Sequence, residues 1–581
     1  MTTMSRLVPI LIFSLTIYHA NASEASGAST AVSPEVAKRI RELEAERQES
    51  LNFDATGFDF QVAPGPVAPD YDSFAKNYHC PTWFRKAKFG IYMHWGLNSI
   101  PGKSGHYGRS MYHQTEPEVS IFARENNIKP TPSGASKTEG GVYKYHVERF
   151  GHPSVFGYKD FIGIWKPDKF DADALAAFYK ECGARYIGVM AVHHDNFDLY
   201  DSTYQPWNSV KMGPGLDVVG AWKKACEKQG LRFAITSHLS NNRHENIFYQ
   251  GEMDSSGPLA GVPYDTLDHK YDGLYGVRTK SRLYRKNPEF AQNWYRRTKD
   301  LIDKYDPDLI YLDGGLPNGS YGINLAAHFY NHCRKVDGKA DAVFCIKNQV
   351  EGLTYDIEAG LANGIMPKPF QVDSSLNYGW FNMGGGSAAD DLSGPEDAGM
   401  STDKKKKTDI INDAQRVIRN TIDIVSKNGN MLLNVGLRAD GSLPKEYRAE
   451  LIKIGQWLKI NGEAIYDTHP YILFGEGPNL NPVGKGYNER SVTFTASDIR
   501  FTVSSDESAV FATALGAPVG PTVIKSLGKA FGPIASVTLL GSQEQIVWKQ
   551  EDDGLTLQPV KEWPHQVANS FKIVRPTKGA P

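Results

Sequence analysis

DADALAAFYKECGARYIGVMAVHHD, residues 171–195, sets the pattern from which the fold can be read. DADALAAFYKEC has helical spacing, and ARYIGVMAV (184–192) is an apolar run of strand length that stops at His193, His194 and Asp195. The theme recurs from about Ala87 to Ile465. Further strand candidates are AKFGIYM (87–93), LRFAITS (231–237), DLIYLD (308–313), AVFCI (342–346), PFQVD (369–373) and NMLLNV (430–435), separated by helical stretches such as PEFAQNWYRRTKDLIDKY. Strands that alternate with helices build a parallel sheet covered by those helices, and seven or eight such units point to a (β/α)8 barrel. Periodicity alone also admits an open doubly wound sheet, but no GxGxxG loop follows the first strand.

Working outward, the N-terminus MTTMSRLVPILIFSLTIYHANAS has a basic Arg6, an apolar run from Leu7 to Tyr18 and the small-x-small site Ala20-Asn21-Ala22. These features predict a signal peptide at 1–22 and a secreted or periplasmic protein. A polar spacer and a charged helix capped by Ser33 fill 23–70, and the barrel is expected over 71–468. From about Pro470 the pattern changes to short alternating strands: RSVTFTA, DIRFTVSS, SAVFATAL, ASVTLLG and EQIVWKQ. Gly, Pro and Asp turns separate them, which predicts a C-terminal antiparallel β-sandwich over 469–581. Two stretches break the barrel rhythm, the long segment from Lys103 to Phe161 and the low-complexity insertion at 384–409.

The 581-residue chain carries 64 Lys plus Arg against 66 Asp plus Glu, a net charge of −2. That balance creates no field for a polyanion, so nucleic acid is not the expected partner and a neutral substrate is. No second apolar run long enough for a membrane span follows the N-terminal one. The five cysteines, Cys80, Cys182, Cys226, Cys333 and Cys345, have no metal-ligand spacing and allow at most two disulfides.

In a parallel barrel, chemistry collects at the C-terminal strand ends. Those ends read His94-Trp95, His193-His194-Asp195, Asp313-Gly314-Gly315 and Asn434. Neighbouring side chains on a strand face opposite ways, so an adjacent His pair does not build a metal cage, and no metal or other cofactor is expected. Neutral imidazoles at a strand end can instead donate hydrogen bonds to sugar hydroxyls. Asp313, with two glycines clearing space beside it, fits a nucleophile or a base, although an Asp before Gly-Gly is also a common turn.

WFRKAKFGIYMHWGLNSIPG (83–102), GARYIGVMAVHHDNFDLYDS (183–202), DPDLIYLDGG (306–315) and NGNMLLNVGLRADGSLP (428–444) resemble the successive signatures of the family 29 glycoside hydrolases, the α-L-fucosidases. The resemblance spans nearly the whole chain after the N-terminal segment. It implies a retaining exo-glycosidase that acts on glycans without a metal. By matching motifs, Asp313 corresponds to the nucleophile, and His94, His193 and His194 to residues that bind ring hydroxyls. A retaining enzyme also needs an acid about 5–5.5 Å from the nucleophile. In the family a carboxylate often lies thirteen residues before a second acidic position that precedes a tryptophan. Glu358 lies thirteen before Gln371, with Trp380 following, so Glu358 is the expected acid/base, with Asp356 and Glu351 as alternatives.

The departures from the family pattern fall in the pocket wall. Ser110-Met111-Tyr112 stands where many members read Glu-Trp-Tyr, leaving Tyr112 as the aromatic candidate. His238 stands after the third strand where a Tyr-Tyr-Ser segment is usual, Lys347-Asn348 replaces a frequent arginine, and Gln371 replaces an acidic residue. The expected substrate contacts are therefore His94, Trp95, Tyr112, His193, His194, His238 and Trp380. The expected activity is exo-α-L-fucosidase. An exo-α-L-galactosidase of the same family and a non-catalytic carbohydrate-binding barrel are the alternatives, and a metal-dependent hydrolase using His94, His193 and His194 is the rival chemistry.

Overall fold

The computed structural model describes residues 57–114, 139–239, 253–276, 288–317, 319–336, 339–376, 379–382, 414–481 and 487–576. The 1–22 segment, the charged helix candidate and the 384–409 insertion lie outside them. Eight strands close a barrel: β1 (Phe89–Met93), β2 (Tyr186–Val192), β3 (Arg232–Ser237), β4 (Leu309–Leu312), β5 (Val343–Ile346), β6 (Thr354–Glu358), β7 (Phe370–Ser375) and β8 (Gly429–Asn434). Each pairs in parallel with its sequence neighbours, and β8 closes onto β1 with Phe89 beside Met431. Seven coincide with the apolar runs picked out above. The eighth, TYDIE in β6, does not look like a buried strand, because it carries two acidic residues.

The covering helices are α1 (Ala172–Glu181), α2 (Val218–Gln229), α3 (Pro288–Tyr305), α4 (Ser320–His332), α5 (Ala414–Ser426) and α6 (Lys445–Asn461). Local chemistry sets their ends. Asp171 caps α1 by accepting from the Ala174 amide, Asp217 does the same for α2 at Gly220, and Gly230 ends α2 in the left-handed conformation. The connections from β5 to β6 and from β6 to β7 contain no helix, a departure from the regular repeat. The segment before β1 covers part of this gap. Its helix Tyr71–Asn77 packs so closely on Gly352 that a Cβ there would lie 2.5 Å from the Phe74 backbone. Tyr330 of α4 donates to the Gly352 carbonyl at 2.8 Å and stacks on Tyr78.

After α6 the chain forms a five-stranded antiparallel sheet in the order β9-β10-β11-β16-β13: β9 (Thr468–Glu476), β10 (Ile499–Ser504), β11 (Ala509–Ala514), β16 (Asn569–Val574) and β13 (Ser536–Leu539). A three-stranded sheet, β12 (Thr522–Ile524), β15 (Gly554–Leu557) and β14 (Trp548–Glu551), faces it. Phe501, Ala512, Phe571 and Ile573 from the first pack with Ile524, Leu555 and Leu557 from the second, a sandwich core. RSVTFTA is not a strand. Its Phe494 carbonyl accepts from Arg419 of α5 instead of a neighbouring strand. All five cysteines are free, and four are buried. No helix among the described residues is long and apolar enough to cross a membrane.

Asp423 of α5 joins barrel and sandwich. It receives Arg500 Nε at 2.6 Å and Lys427 Nζ at 2.7 Å, and all three side chains are almost wholly buried. Replacing Asp423 by Ala leaves two buried cations without their anion, a defect that typically costs about 3–5 kcal/mol. D423A should therefore melt several degrees below the wild type in calorimetry, and an unchanged melting profile would remove this contact from the forces joining the two layers.

Candidate active site

Side chains along a strand alternate between the barrel interior and the covering helices. Tyr92, Tyr311 and Cys345 lie in the interior of β1, β4 and β5, so the inward residues one step further on are His94, Asp313 and Lys347. By the same rule β3 delivers His238, β6 delivers Asp356 and Glu358, β7 delivers Gln371, Asp373 and Ser375, and β8 delivers Asn434. The interior is thus aromatic and aliphatic below and polar at the C-terminal mouth. On β2 a bulge between Met190 and Val192 shifts the register against β3, and the chain turns at His193, whose carbonyl accepts from Asn196. Both imidazoles then face the same space. Their ring centres are 4.7 Å apart, and each also neighbours His238, at 4.9 Å for His193 and 5.7 Å for His194.

The imidazole protons follow from one amide. Asn434 Nδ2 donates to the Trp380 carbonyl at 2.6 Å and to Ser375 Oγ at 2.9 Å. Its Oδ1 therefore faces His94, accepting from the backbone amide at 2.9 Å and from Nδ1 at 3.0 Å. His94 carries its proton on Nδ1, and its bare Nε2 accepts from His238 Nε2 at 3.1 Å. Burial lowers the His94 pKa to about 4 and holds those of His193 and His238 well below the usual imidazole range. These rings are neutral donors and acceptors. Trp380, half-buried, lies 5.4 Å from the His94 ring at a 36° tilt, and Phe381 meets His193 edge-on at 4.8 Å.

The other half of the mouth is ionic. Lys347 Nζ lies 2.9 Å from Asp356, 2.7 Å from Asp373 and 3.6 Å from Glu358. Asp356 also accepts from Gln371 Nε2 at 2.8 Å, and Asp373 from the hydroxyls of Tyr92 and Tyr311, each at 3.2 Å. Burial works against the Lys347 charge, but Asp356, Asp373, Glu358 and Asp313 outweigh it and keep the ammonium protonated. Burial, then the neighbouring Asp373, drives Asp356 well above the usual carboxylate range. For Asp313 burial is opposed by His194, whose Nε2 is 3.6 Å away, and by His238 and Lys347; together they hold the carboxyl far below its ordinary value. Glu358 moves the other way. Burial raises it, Asp373 and Asp313 reinforce the rise, and Lys347 and Tyr487 oppose it. The mouth therefore holds two carboxyls whose surroundings push their pKa values apart, Asp313 downward and Glu358 upward, the direction of separation that an acid/nucleophile pair requires.

The expected residues separate on these grounds. His94, His193, His194, His238, Asp313, Glu358 and Trp380 meet at the mouth. Trp95 does not, because it follows His94 and so faces the helices, stacking on Phe170 and donating to the Arg438 carbonyl at 2.7 Å. Tyr112 is buried in the loop layer, where it donates to Asp265 at 2.9 Å and accepts from the Tyr158 amide at 2.8 Å. Tyr158 in turn donates to Asp195 at 2.7 Å. Glu351 is 59 % exposed beside Lys368, ahead of β6, and the strand's five residues span roughly 17 Å to the other end of the barrel. Asp356 lies beneath the mouth without solvent access. Sequence reasoning missed Asp373, Phe381, His106, which stacks on His194 at 5.6 Å, and Tyr487, whose hydroxyl donates to Glu358. Only Asp373, two residues after Gln371 on an apolar strand, left a legible signal.

Three imidazoles from three strands, His94, His193 and His238, bring one nitrogen each within 4.8 Å of the others. The set pairs His193 with residues of two other strands rather than with the adjacent His194, so strand alternation does not forbid it.

The family model described as "Alpha-L-fucosidase" matches residues 59–385 and 400–463. An alpha-L-fucosidase of Dictyostelium discoideum is 25 % identical over 397 residues, 67 % of this chain and 72 % of its own length. The tissue alpha-L-fucosidase of Rattus norvegicus is 25 % identical over 497 residues, covering 84 % and 87 %. Among solved structures, Thermotoga maritima alpha-fucosidase with a mechanism-based inhibitor aligns at TM-score 0.61 and 22 % identity, over 88 % of this chain and all of that one. A Bacteroides thetaiotaomicron alpha-L-fucosidase, trapped as a covalent intermediate, aligns at TM-score 0.54 and 15 % identity, over 89 % and 99 %.

Nitrogen NMR of histidine-labelled protein checks the tautomers. His94 should appear as Nδ1–H and His238 as Nε2–H, with neither titrating between about pH 5 and 8, where an ordinary histidine does. A His94 signal that titrates near 6.5 would contradict the hydrogen-bond chain from Asn434.

Proposed function

Because the chain belongs to the alpha-L-fucosidase family of glycoside hydrolases, we propose that it removes terminal α-L-fucosyl residues from glycans with retention of configuration. The observation that carries this reading is the pair of carboxyls shifted in opposite directions at one barrel mouth, Asp313 after β4 beside His194 and held far below its ordinary range, and Glu358 at the end of β6 beside Lys347 and raised above it. Asp313 attacks the anomeric carbon as Glu358 protonates the departing oxygen, and a glycosyl ester forms on Asp313. Glu358, now a carboxylate, takes a proton from water, which attacks the ester and releases the sugar. The neutral imidazoles of His94, His193 and His238, with the His194 ring beside them, donate to and accept from ring hydroxyls, and Trp380 offers an aromatic face to the sugar. The covalent intermediate described for the Bacteroides relative supports the retaining course. The N-terminal segment 1–22 supports action outside the cytoplasm.

Azide separates the two carboxyl roles. D313A should lose at least about 1,000-fold in turnover of an aryl α-L-fucoside, because it removes the nucleophile. With azide it should release the β-fucosyl azide. E358A should retain slow turnover of an activated substrate, and azide should accelerate it to the α-fucosyl azide. Rescue at Asp356 instead of Glu358 would transfer the acid/base role, and preferential turnover of an α-L-galactoside would change the sugar assignment.

The pH profile tests Lys347. Activity should fall at high pH as Glu358 loses its proton, above the ordinary carboxylate range, and should persist on the acid side below that range because Asp313 stays ionised. Removing a cation favours the protonated form of every neighbouring carboxyl, so K347M should move both limbs to higher pH, whereas K347R should restore them. A K347M profile superimposable on the wild type would remove Lys347 from the control of either group.

A further inference from the structure

We infer that His94, His193 and His238 form a binding site for a divalent transition-metal ion, zinc by the chemistry of its ligands, and that the bound ion competes with the sugar for the same imidazoles. The competition rests on the proposed function; the metal site does not. Zinc takes imidazole nitrogens at about 2.0–2.1 Å in tetrahedral geometry, which places two ligands roughly 3.3 Å apart. His94 Nε2 and His238 Nε2 are 3.1 Å apart, and one nitrogen from each of the three rings lies within 4.8 Å of the other two, so ring rotations can bring all three to one ion.

Two further features fit a ligand. His94 donates its other ring proton to Asn434 Oδ1, the outer-shell contact that fixes the tautomer of a metal-ligating histidine and aims Nε2 at the ion. The Nδ1 atom of His193 is buried without a hydrogen-bond partner, so that ring has coordination capacity unused by the protein. Deep burial favours neutral imidazole, the form that ligates. Binding through His238 Nε2 requires that ring to move its proton to Nδ1, with no net proton release. Three protein ligands leave a fourth position open for water, and the Asp313 carboxylate, paired with His194, supplies negative charge nearby.

The alternative cluster on the described surface is Asp303, His328 and His332. It is less suited, because His328 Nδ1 already accepts from the Ala63 amide at 3.0 Å and its Nε2 lies 2.8 Å from Asp303.

Full-length protein stripped with chelator and titrated calorimetrically with zinc should take up one tightly bound ion. H238Q should weaken binding by on the order of 100-fold or more, since loss of an outer-shell partner alone costs up to that much. H332A should leave it intact. Zinc-edge X-ray absorption of the loaded wild type should count three imidazole nitrogens, a readout that does not depend on any variant folding. No saturable binding, fewer imidazoles, or loss of binding in H332A would overturn the site. With the site established, zinc should raise the apparent KM for an aryl α-L-fucoside at unchanged kcat; an unchanged KM would overturn the competition. If no fucoside were turned over at all, the proposed function would fall while the calorimetry and absorption still decided the metal site.

Discussion

A single ammonium group, Lys347 Nζ, lies within reach of Asp356, Asp373 and Glu358 at the barrel mouth, and most of the site follows from that fact. Burying a charge costs several kcal/mol per ion, and replacing such clusters by apolar residues often stabilises a protein. Its retention here is explained by what it does to the carboxyls. The cation helps hold the Asp313 pKa down while burial and the surrounding acids push that of Glu358 up. An apolar core would be simpler to build and could not shift two carboxyls in opposite directions.

That cluster also explains which parts of the fold were legible. Seven strands carry enough apolar residues to stand out as runs, including β7, where Phe370 and Val372 alternate with the inward Gln371 and Asp373. β6 was invisible because its inward residues, Asp356 and Glu358, serve Lys347 and the mouth rather than the core, so TYDIE has the composition of a loop. Glu358, the expected acid/base, is legible only through family spacing and not through the strand that carries it. Trp95 and Tyr112 went the other way: one follows His94 and the other stands at a family-motif position, yet strand alternation and loop packing turn them toward Phe170 and Asp265. Tyr487 lies 129 residues beyond its partner Glu358, and no periodicity connects them.

The sandwich is therefore more than an appendage. The segment between β9 and β10 lies along the end of β6, with the Tyr487 amide donating to the Glu358 carbonyl at 3.2 Å and the Glu489 amide to the Ala359 carbonyl at 3.1 Å. Asn488 Oδ1 accepts from the Leu361 amide at 2.8 Å. These bonds occupy the loop where the barrel lacks a helix, and they carry a tyrosine hydroxyl to the Glu358 carboxyl. The Asp423 cluster holds the same layer against α5, so the site inherits its precision from contacts between two architectures.

The covering of the β5–β6 connection by the segment before β1 has a consequence for synthesis. Tyr78 pairs with Thr354 across 276 residues, and the Ala63 amide with His328 across 265. At about 5–20 residues per second, a ribosome needs roughly 14–55 seconds to make the partner of Tyr78 after Tyr78 itself. During that interval β1 can already pair with β2, but the segment before β1 still lacks Thr354 and His328, so the cover over the helix-less side docks after the strands it shields rather than in the order in which it is made.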